Sequence, residues 1–432
     1  MGVFAGPSNF SNVGADPSLV LNFATKKSLN DLVSGNNLIT FERASTGTYV
    51  GSDGLIKTAA ADEARFDHDP ETGESLGLLI EESRSNLLLQ SQNFTTSWSD
   101  NYNDTTVVSN AIISPDGTLN GSKIIKDSGS SISNLISNNT GIISPSRAMF
   151  SIYAKAGGFD GIQLTSWADP NDFQNFDLVN GTLGNAGSVT PLVNSKITYV
   201  GNQWYRCLAY LKPSGNGGLG FQPTANPQSD GWRPTNSGNG VDGIYVWGAQ
   251  IEAGSFPTSY IPTSGSTFTR QPDNASITGT NFTDFYNQSE WTMFCEYSSF
   301  SFSNSASLPT LAHFTDGTLN EYVRLNCAPS YKLRSFIVDG GVTQTQINTG
   351  GTSSNNEIVR SVAGIQENNV KIVVNGNTSN VATNVTLPNP TKVEIGNWIL
   401  QANTFLNGYI SQLIYYPARI SDIKLEQMTK NY

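Results

Sequence analysis

RFDHDPETGESLGLLIEESRSNLL, residues 65–88, poses the question on which the reading of this chain turns. Asp67, Asp69, Glu71, Glu74, Glu81 and Glu82, with one of only two histidines, His68, surround the apolar run 76–80. The alternation of Asp67, Asp69 and Glu71 suits a calcium loop. An EF-hand loop starting at Asp67 needs Gly at its sixth position and Glu at its twelfth. Thr72 and Leu78 stand there, so that reading fails, and a looser calcium site is the alternative. An Asp can orient a His, and the His can then act as a base. The chain has no G-x-S-x-G turn to add a nucleophile. Asp69-Pro70-Glu71-Thr72-Gly73 carries the Pro and Gly of a tight turn. The run 76–80 then reads as a buried strand. The stretch is therefore expected to be a turn, a strand and a docking surface. Its interface residues would be Arg65, Asp67, His68, Asp69, Glu81, Glu82 and Arg84, with no catalytic residue and no metal ligand.

The composition points to β structure. Charged residues are 14% of the 432, against the usual ~25%, and Asn, Ser, Thr and Gly fill the gap. That mix favours strands and turns over long helices. The net charge of −11 speaks against nucleic acid as a partner, since phosphate binding needs a basic field. Residues 41–84 hold ten acidic and four basic side chains, so −6 of the charge is local. The opening MGVFAGPSNFS has neither a basic start nor a long apolar stretch, so no signal peptide and no membrane insertion are expected. Cys207, Cys295 and Cys327 lie far apart with no C-x-x-C, which leaves three buried free thiols or a Cys295–Cys327 pair.

Along the chain, SLVLNF (18–23) reads as a strand, TKKSLNDLV as a helical turn, and residues 37–59 as a hairpin turning at Ser52-Asp53-Gly54. Short β runs recur at 149–156, 161–167, 203–211 and 243–254, separated by turn clusters, as in a sandwich or jelly roll. The Pro- and Ser-rich stretch 259–279 reads as a connector. Strands are expected again at 290–297, 321–327, 331–338, 370–377, 392–397 and 408–416. Asn375-Gly376 marks a type I′ hairpin, and Ile420, Ile423 and Leu425 form the apolar side of a final short helix.

Three pieces of the acidic section match a known module: F-x-R-A-S-T-x-T-Y-V at 41–50, A-R-F-D-H-D-P at 64–70 and G-L-L-I-E-E-S-R-S-N-L-L at 77–88. They resemble a module of tailed-phage virion proteins, the tail fibres and head fibres of marine phages, with Ser85 where that module usually has Thr. The segment 245–279 resembles the end of the jelly roll that follows in such proteins. Residues 368–377 and 405–428 are similar to the closing pattern of a laminin-G or concanavalin-like sandwich. The resemblance implies an all-β chain of three parts: a virion-docking and oligomerisation module (1–90), a carbohydrate-binding-like jelly roll (91–270) and a laminin-G/concanavalin-like sandwich (271–432). It further implies a homotrimer on the outer surface of a virion, bound to capsid or tail proteins and to a host cell-surface glycan, without a cofactor.

Sugar binding requires aromatic faces and planar polar groups. Trp167 and Asp169 in TSWADPNDF, Trp232 and Arg233 in SDGWRPTN, and Trp398 are the candidates, whereas Trp204 and Trp247 alternate as core residues do. A concanavalin-like glycosidase would carry E-x-D-x-x-E on one strand. No such triple occurs, and Glu290/Glu296 and His313/Asp316 are weak substitutes. The expectation is a structural protein that is not an enzyme. The alternatives are a decoration protein without a ligand and a capsule depolymerase.

Overall fold

The computed structural model describes residues 13–132, 135–137, 147–167, 169–188, 195–213, 218–300, 308–328, 331–350, 354–399, 401 and 404–430. The opening arm therefore lies largely outside the described residues. The chain is all-β, as the sequence implied, and its strands build two sandwiches.

One sandwich holds the middle of the chain. Its first sheet runs in the order Lys196–Tyr199, Tyr205–Leu211, Ala148–Gly157, Gly243–Ala253, Leu119–Lys126, Thr105–Ile113. The facing sheet runs Thr182–Ala186, Phe173–Asp177, Gly161–Ser166, Leu219–Thr224, Leu135–Ser137, Trp98–Asp100. Strand alternation explains the core. In Gly161–Ser166, Ile162 and Leu164 enter the apolar layer with Phe150, Phe176, Phe221 and Ile251. Gln163 and Thr165 point to the other face.

The second sandwich joins the two ends of the chain. In its first sheet Glu290–Ser299 lies between Val359–Gln366 and Gly408–Tyr416. Gly408–Tyr416 in turn pairs with Leu19–Asn22 and Ser75–Ile80, and Phe66–His68 closes that edge. In the facing sheet Thr40–Glu42 pairs with Asn274–Thr278, followed by Lys392–Ile395, Thr310–Thr315, Tyr322–Ala328, Tyr331–Asp339 and Val342–Asn348. Trp291, Met293, Cys295 and Tyr297 alternate into its core. Phe294, on the other face, packs with Ile414, Leu425 and Met428 beneath the helix Asp422–Thr429.

The sheets therefore do not divide at residue 90. The described strands of 1–90 complete the C-terminal sandwich instead of standing as a separate module, because their apolar residues, Leu19, Leu21, Leu78 and Ile80, belong to its core. The connector is also woven in. Phe268–Arg270 pairs with Arg84–Asn86, and Asn274–Thr278 is an internal strand. The hairpin lies within 47–59, pairing Gly47–Val50 with Ile56–Ala59, while Thr40–Glu42 joins another sheet. Asn375 and Gly376 both have positive φ, +46° and +78°, as a type I′ turn requires. Ile423 is 70% exposed, so Leu425 and Met428 form the apolar buried side of the last helix, with Ile420 packed against them from just before it. Burial pattern, not residue type, sets that face. All three cysteines are buried free thiols, and Trp204 and Trp247 are core.

Candidate functional site

The strand after the Asp69–Gly73 turn passes close under its neighbour. Gly77 has φ +103°, and a Cβ there would lie 2.3 Å from the Ile410 carbonyl oxygen. This approach carries Glu81 into the junction between the sandwiches. There, Arg43, Arg65 and Arg270 meet Glu81 and Asp273, all with side chains at most 1% exposed. Asp273 lies 3.0 Å from Arg43, 2.5 Å from Arg65 and 3.9 Å from Arg270, and it accepts the Glu81 backbone N–H at 2.9 Å. Glu81 lies 2.8 Å from Arg65 and accepts from the Ser259 backbone N–H and hydroxyl at 2.7 Å each. Three guanidiniums face two carboxylates. The surplus positive charge is spread over the carbonyls of Ser45, Thr48, Ala60 and Glu82. Burial would raise the Glu81 carboxyl, but Arg270, Arg65 and the Ser259 bonds overcome it and lower it to about 2. Such a network costs more to break than to build.

Arg65 and Glu81 are therefore internal and cannot form an exposed docking surface. Their charge is consumed inside the chain, between segments about 200 residues apart in sequence. Glu82 and Arg84 pair at 2.7 Å, and Arg84 lies over the Phe256 ring at 4.5 Å, crossing Gly254, where any Cβ would collide with it. Asp69 holds its own turn through the Glu71 and Thr72 backbone N–H groups. Asp67 and His68 line a cleft between the sandwiches. Asp67 accepts from the Val50 N–H and from the Tyr409 hydroxyl at 2.8 Å, and burial raises its carboxyl to about 6. Among the described residues no group of three or more His, Cys, Asp or Glu is placed to hold a metal ion.

The jelly-roll candidates largely converge. Trp167 follows the strand Gly161–Ser166, Trp232 and Arg233 lie in the loop after Leu219–Thr224, and Tyr102 follows Trp98–Asp100. The Arg233 guanidinium lies 3.8 Å from the centre of the Trp167 ring, 4.8 Å from that of Trp232 and 5.2 Å from that of Tyr102, whose hydroxyl it also contacts. Arg233 adopts φ +50°, a strained conformation for a side-chain-bearing residue, and is fixed by its N–H bond to Gln163 Oε1 at 2.8 Å. Trp232 Nε1 donates to the Ser166 carbonyl at 3.2 Å. Both tryptophans stay half-buried. Gln222, across the strands from Gln163, is fully buried with neither amide atom hydrogen-bonded. The arrangement is a fixed cation held among three aromatic rings, with an unpartnered buried amide on the neighbouring strand.

Asp169 lies beside this cluster, but its carboxylate accepts the Asn171 N–H in a local turn. Trp398 is not part of it. It is 7% exposed in the other sandwich, packed on His313 (5.2 Å), Tyr322 (5.8 Å) and Arg324 (4.4 Å). His313 pairs with Glu394 at 3.0 Å, Asp316 caps its turn through Thr318, and Glu296 pairs with Arg360, so none of these is a free acid–base couple. Sequence reasoning missed Tyr102, which lies outside the matched segments. It also assigned no role to Arg43, in the motif 41–50, or to Arg270 and Asp273, in the segment 245–279.

No protein-family model matches the chain, and no curated protein matches it. Solved structures do. The CBM40 of the Ruminococcus gnavus IT-sialidase, bound to α2,3-sialyllactose, is 12% identical, covering 34% of this chain and 84% of that one at a TM-score of 0.29. Domains LG4-5 of the mouse laminin α1 chain are 8% identical over 82% of this chain and 95% of that one, at 0.23. The Trypanosoma rangeli sialidase in complex with the inhibitor DANA is 12% identical over 72% of this chain and 60% of that one, at 0.28. The expectation that the chain is not an enzyme is corrected here, since sialidases stand among the similar structures. At these scores the likeness does not make it a sialidase. Among the described residues no helix is long and apolar enough to cross a membrane, which says nothing of a β-barrel.

Proposed function

We propose that this chain is a glycan-binding structural protein of a tailed-phage virion, a fibre or spike on the outer surface, assembled as a homotrimer on capsid or tail proteins. The observation that carries glycan binding is the half-buried Trp167 and Trp232 held around Arg233 beside the unpartnered Gln222. Aromatic faces take the apolar side of a sugar ring, and amide and guanidinium groups take its hydroxyls. The virion role is supported by the three quoted motifs, which the fold gathers at one junction. Three copies would gain avidity from weak sites.

Alanine at Trp167 and Trp232 tests the reading. Loss of host-cell adsorption by assembled virions supports it. Unchanged adsorption favours a decoration protein without a ligand. Electron microscopy of the intact particle, with density for this chain on neither head nor tail, would remove the virion role.

A further inference from the structure

The cleft between the two sandwiches has a volume of about 580 Å³, within the range of small-ligand sites. Its walls include Tyr153, Phe256, Tyr297 and Tyr409, drawn from both sandwiches. Among the residues that line it are three whose buried polar atoms the fold leaves without a partner. The His68 ring is 4% exposed and its Nδ1 lies 2.9 Å from the Val50 carbonyl, so Nδ1 carries the proton and donates. Nε2 is then an acceptor, buried without a partner. Ser195 Oγ and Arg206 Nε, in residues that also line the cleft, are likewise buried and unpartnered. Leaving a buried polar group unsatisfied costs about 1–3 kcal/mol, and native proteins hold few.

The charges are unevenly spent. Asp67 is occupied by Val50 and Tyr409, Asp69 by its turn and Glu81 by the clamp, which leaves Glu74 as the remaining acid on the wall. The two cations are not neutralised. Thr198 lies opposite Arg206 across the paired strands, so Lys196 and Arg206 share one face, diagonally adjacent. Among the described residues neither has a carboxylate within ion-pair distance, in a chain of net charge −11. Arg206 is steadied by the Thr258 carbonyl at 2.8 Å and lies over the Tyr153 ring at 5.6 Å.

We propose that this cleft binds a carboxylate-bearing sugar, with the acid group on Arg206 and Lys196 and the hydroxyls on His68 Nε2 and Ser195 Oγ. The site lies on the opposite sheet of the jelly roll from Trp167 and Trp232, and it does not depend on that reading. Arg206 Nη2 is taken by the Ser151 hydroxyl and the Thr258 carbonyl, so its unpartnered Nε, with the Lys196 ammonium, is the donor for a carboxylate, and His68 Nε2 and Ser195 Oγ, on the same cleft wall, are the partners for hydroxyls.

The test is calorimetric titration of the full chain with 3′-sialyllactose, a glucuronyl disaccharide and neutral lactose. At least one acidic sugar should bind about tenfold or more tightly than lactose, a gap of about 1.4 kcal/mol, and the gap should shrink with salt. The double variant Arg206→Gln/Lys196→Gln should erase that preference. If Arg206→Gln disturbs folding, Lys196→Gln alone, at an exposed position, should still cut acidic-sugar binding about threefold or more. Equal affinity for acidic and neutral sugars, no acidic-sugar binding by the folded wild type, or a preference that survives in the variants would each overturn the proposal.

Discussion

Replacing Asp273 by Ala tests the clamp that joins the sandwiches. Among the described residues Asp273 is the only carboxylate that touches all three guanidiniums, at 3.0, 2.5 and 3.9 Å, and it also takes the Glu81 N–H. Its removal leaves Arg43, Arg65 and Arg270 facing Glu81 alone, in a site where burial already lowers the pKa of Arg43 and Arg270. Breaking a buried ion pair by deleting one partner costs about 3–5 kcal/mol. The surplus of positive charge places this variant at the upper end. Asp273→Asn keeps the shape and one acceptor, so it should lose less than Ala and still more than about 1.5 kcal/mol. Urea unfolding followed by tryptophan fluorescence reads both, since the two sandwiches carry separate buried tryptophans, Trp247 and Trp291. The wild type should unfold in one transition. Asp273→Ala should split it into two, as the clamped connector loosens. A loss under about 1 kcal/mol with a single transition would refute the clamp as the element that couples the sandwiches.

Two more outcomes follow from the fold. Burial raises the Asp67 carboxyl from 3.8 to about 6, so the folded state holds that proton more tightly than the unfolded chain does. Stability from this group should fall by about 3 kcal/mol as pH rises from about 4 to 6, then level off. Asp67→Asn, whose amide can keep both the Val50 and Tyr409 contacts, should remove that slope in urea midpoints measured across the window. On the last helix, Leu425→Ala should cost about 2–5 kcal/mol. Ile423→Lys should stay within about 0.5 kcal/mol of wild type, because Ile423 lies in solvent. The reverse order would show the helix rotated.

Most strands were legible because alternation and turn chemistry act locally. Met149 to Ala156, Glu290 to Tyr297 and the Asn375-Gly376 turn announce themselves within a few residues. What could not be read was which strands pair across the chain. Leu19–Asn22 and Ser75–Ile80 look like a local module, yet both lie against Gly408–Tyr416. No short-range pattern encodes that pairing. The acidic stretch misled for a related reason. Its carboxylates looked like surface charge because their partners, Arg270 and Asn407, are about 190 and 325 residues away. Trp167, Trp232 and Arg233 were singled out because sugar chemistry demands those residue types, and the fold brings the three together. Tyr102 was not, since a lone tyrosine in a polar turn carries no signal. Trp398 drew attention by type alone, and its packing against His313 and Arg324 decided otherwise.

The central claim is that the face formed by Trp167, Trp232 and Arg233 binds glycan. The direct measurement is binding of the purified chain to an array of neutral oligosaccharides, beside the Trp167→Ala/Trp232→Ala variant at matched unfolding midpoint. The account predicts that the wild type binds a subset of the sugars and that the variant loses about tenfold or more of that affinity. Equal binding by the two proteins, or none by the wild type, would contradict it.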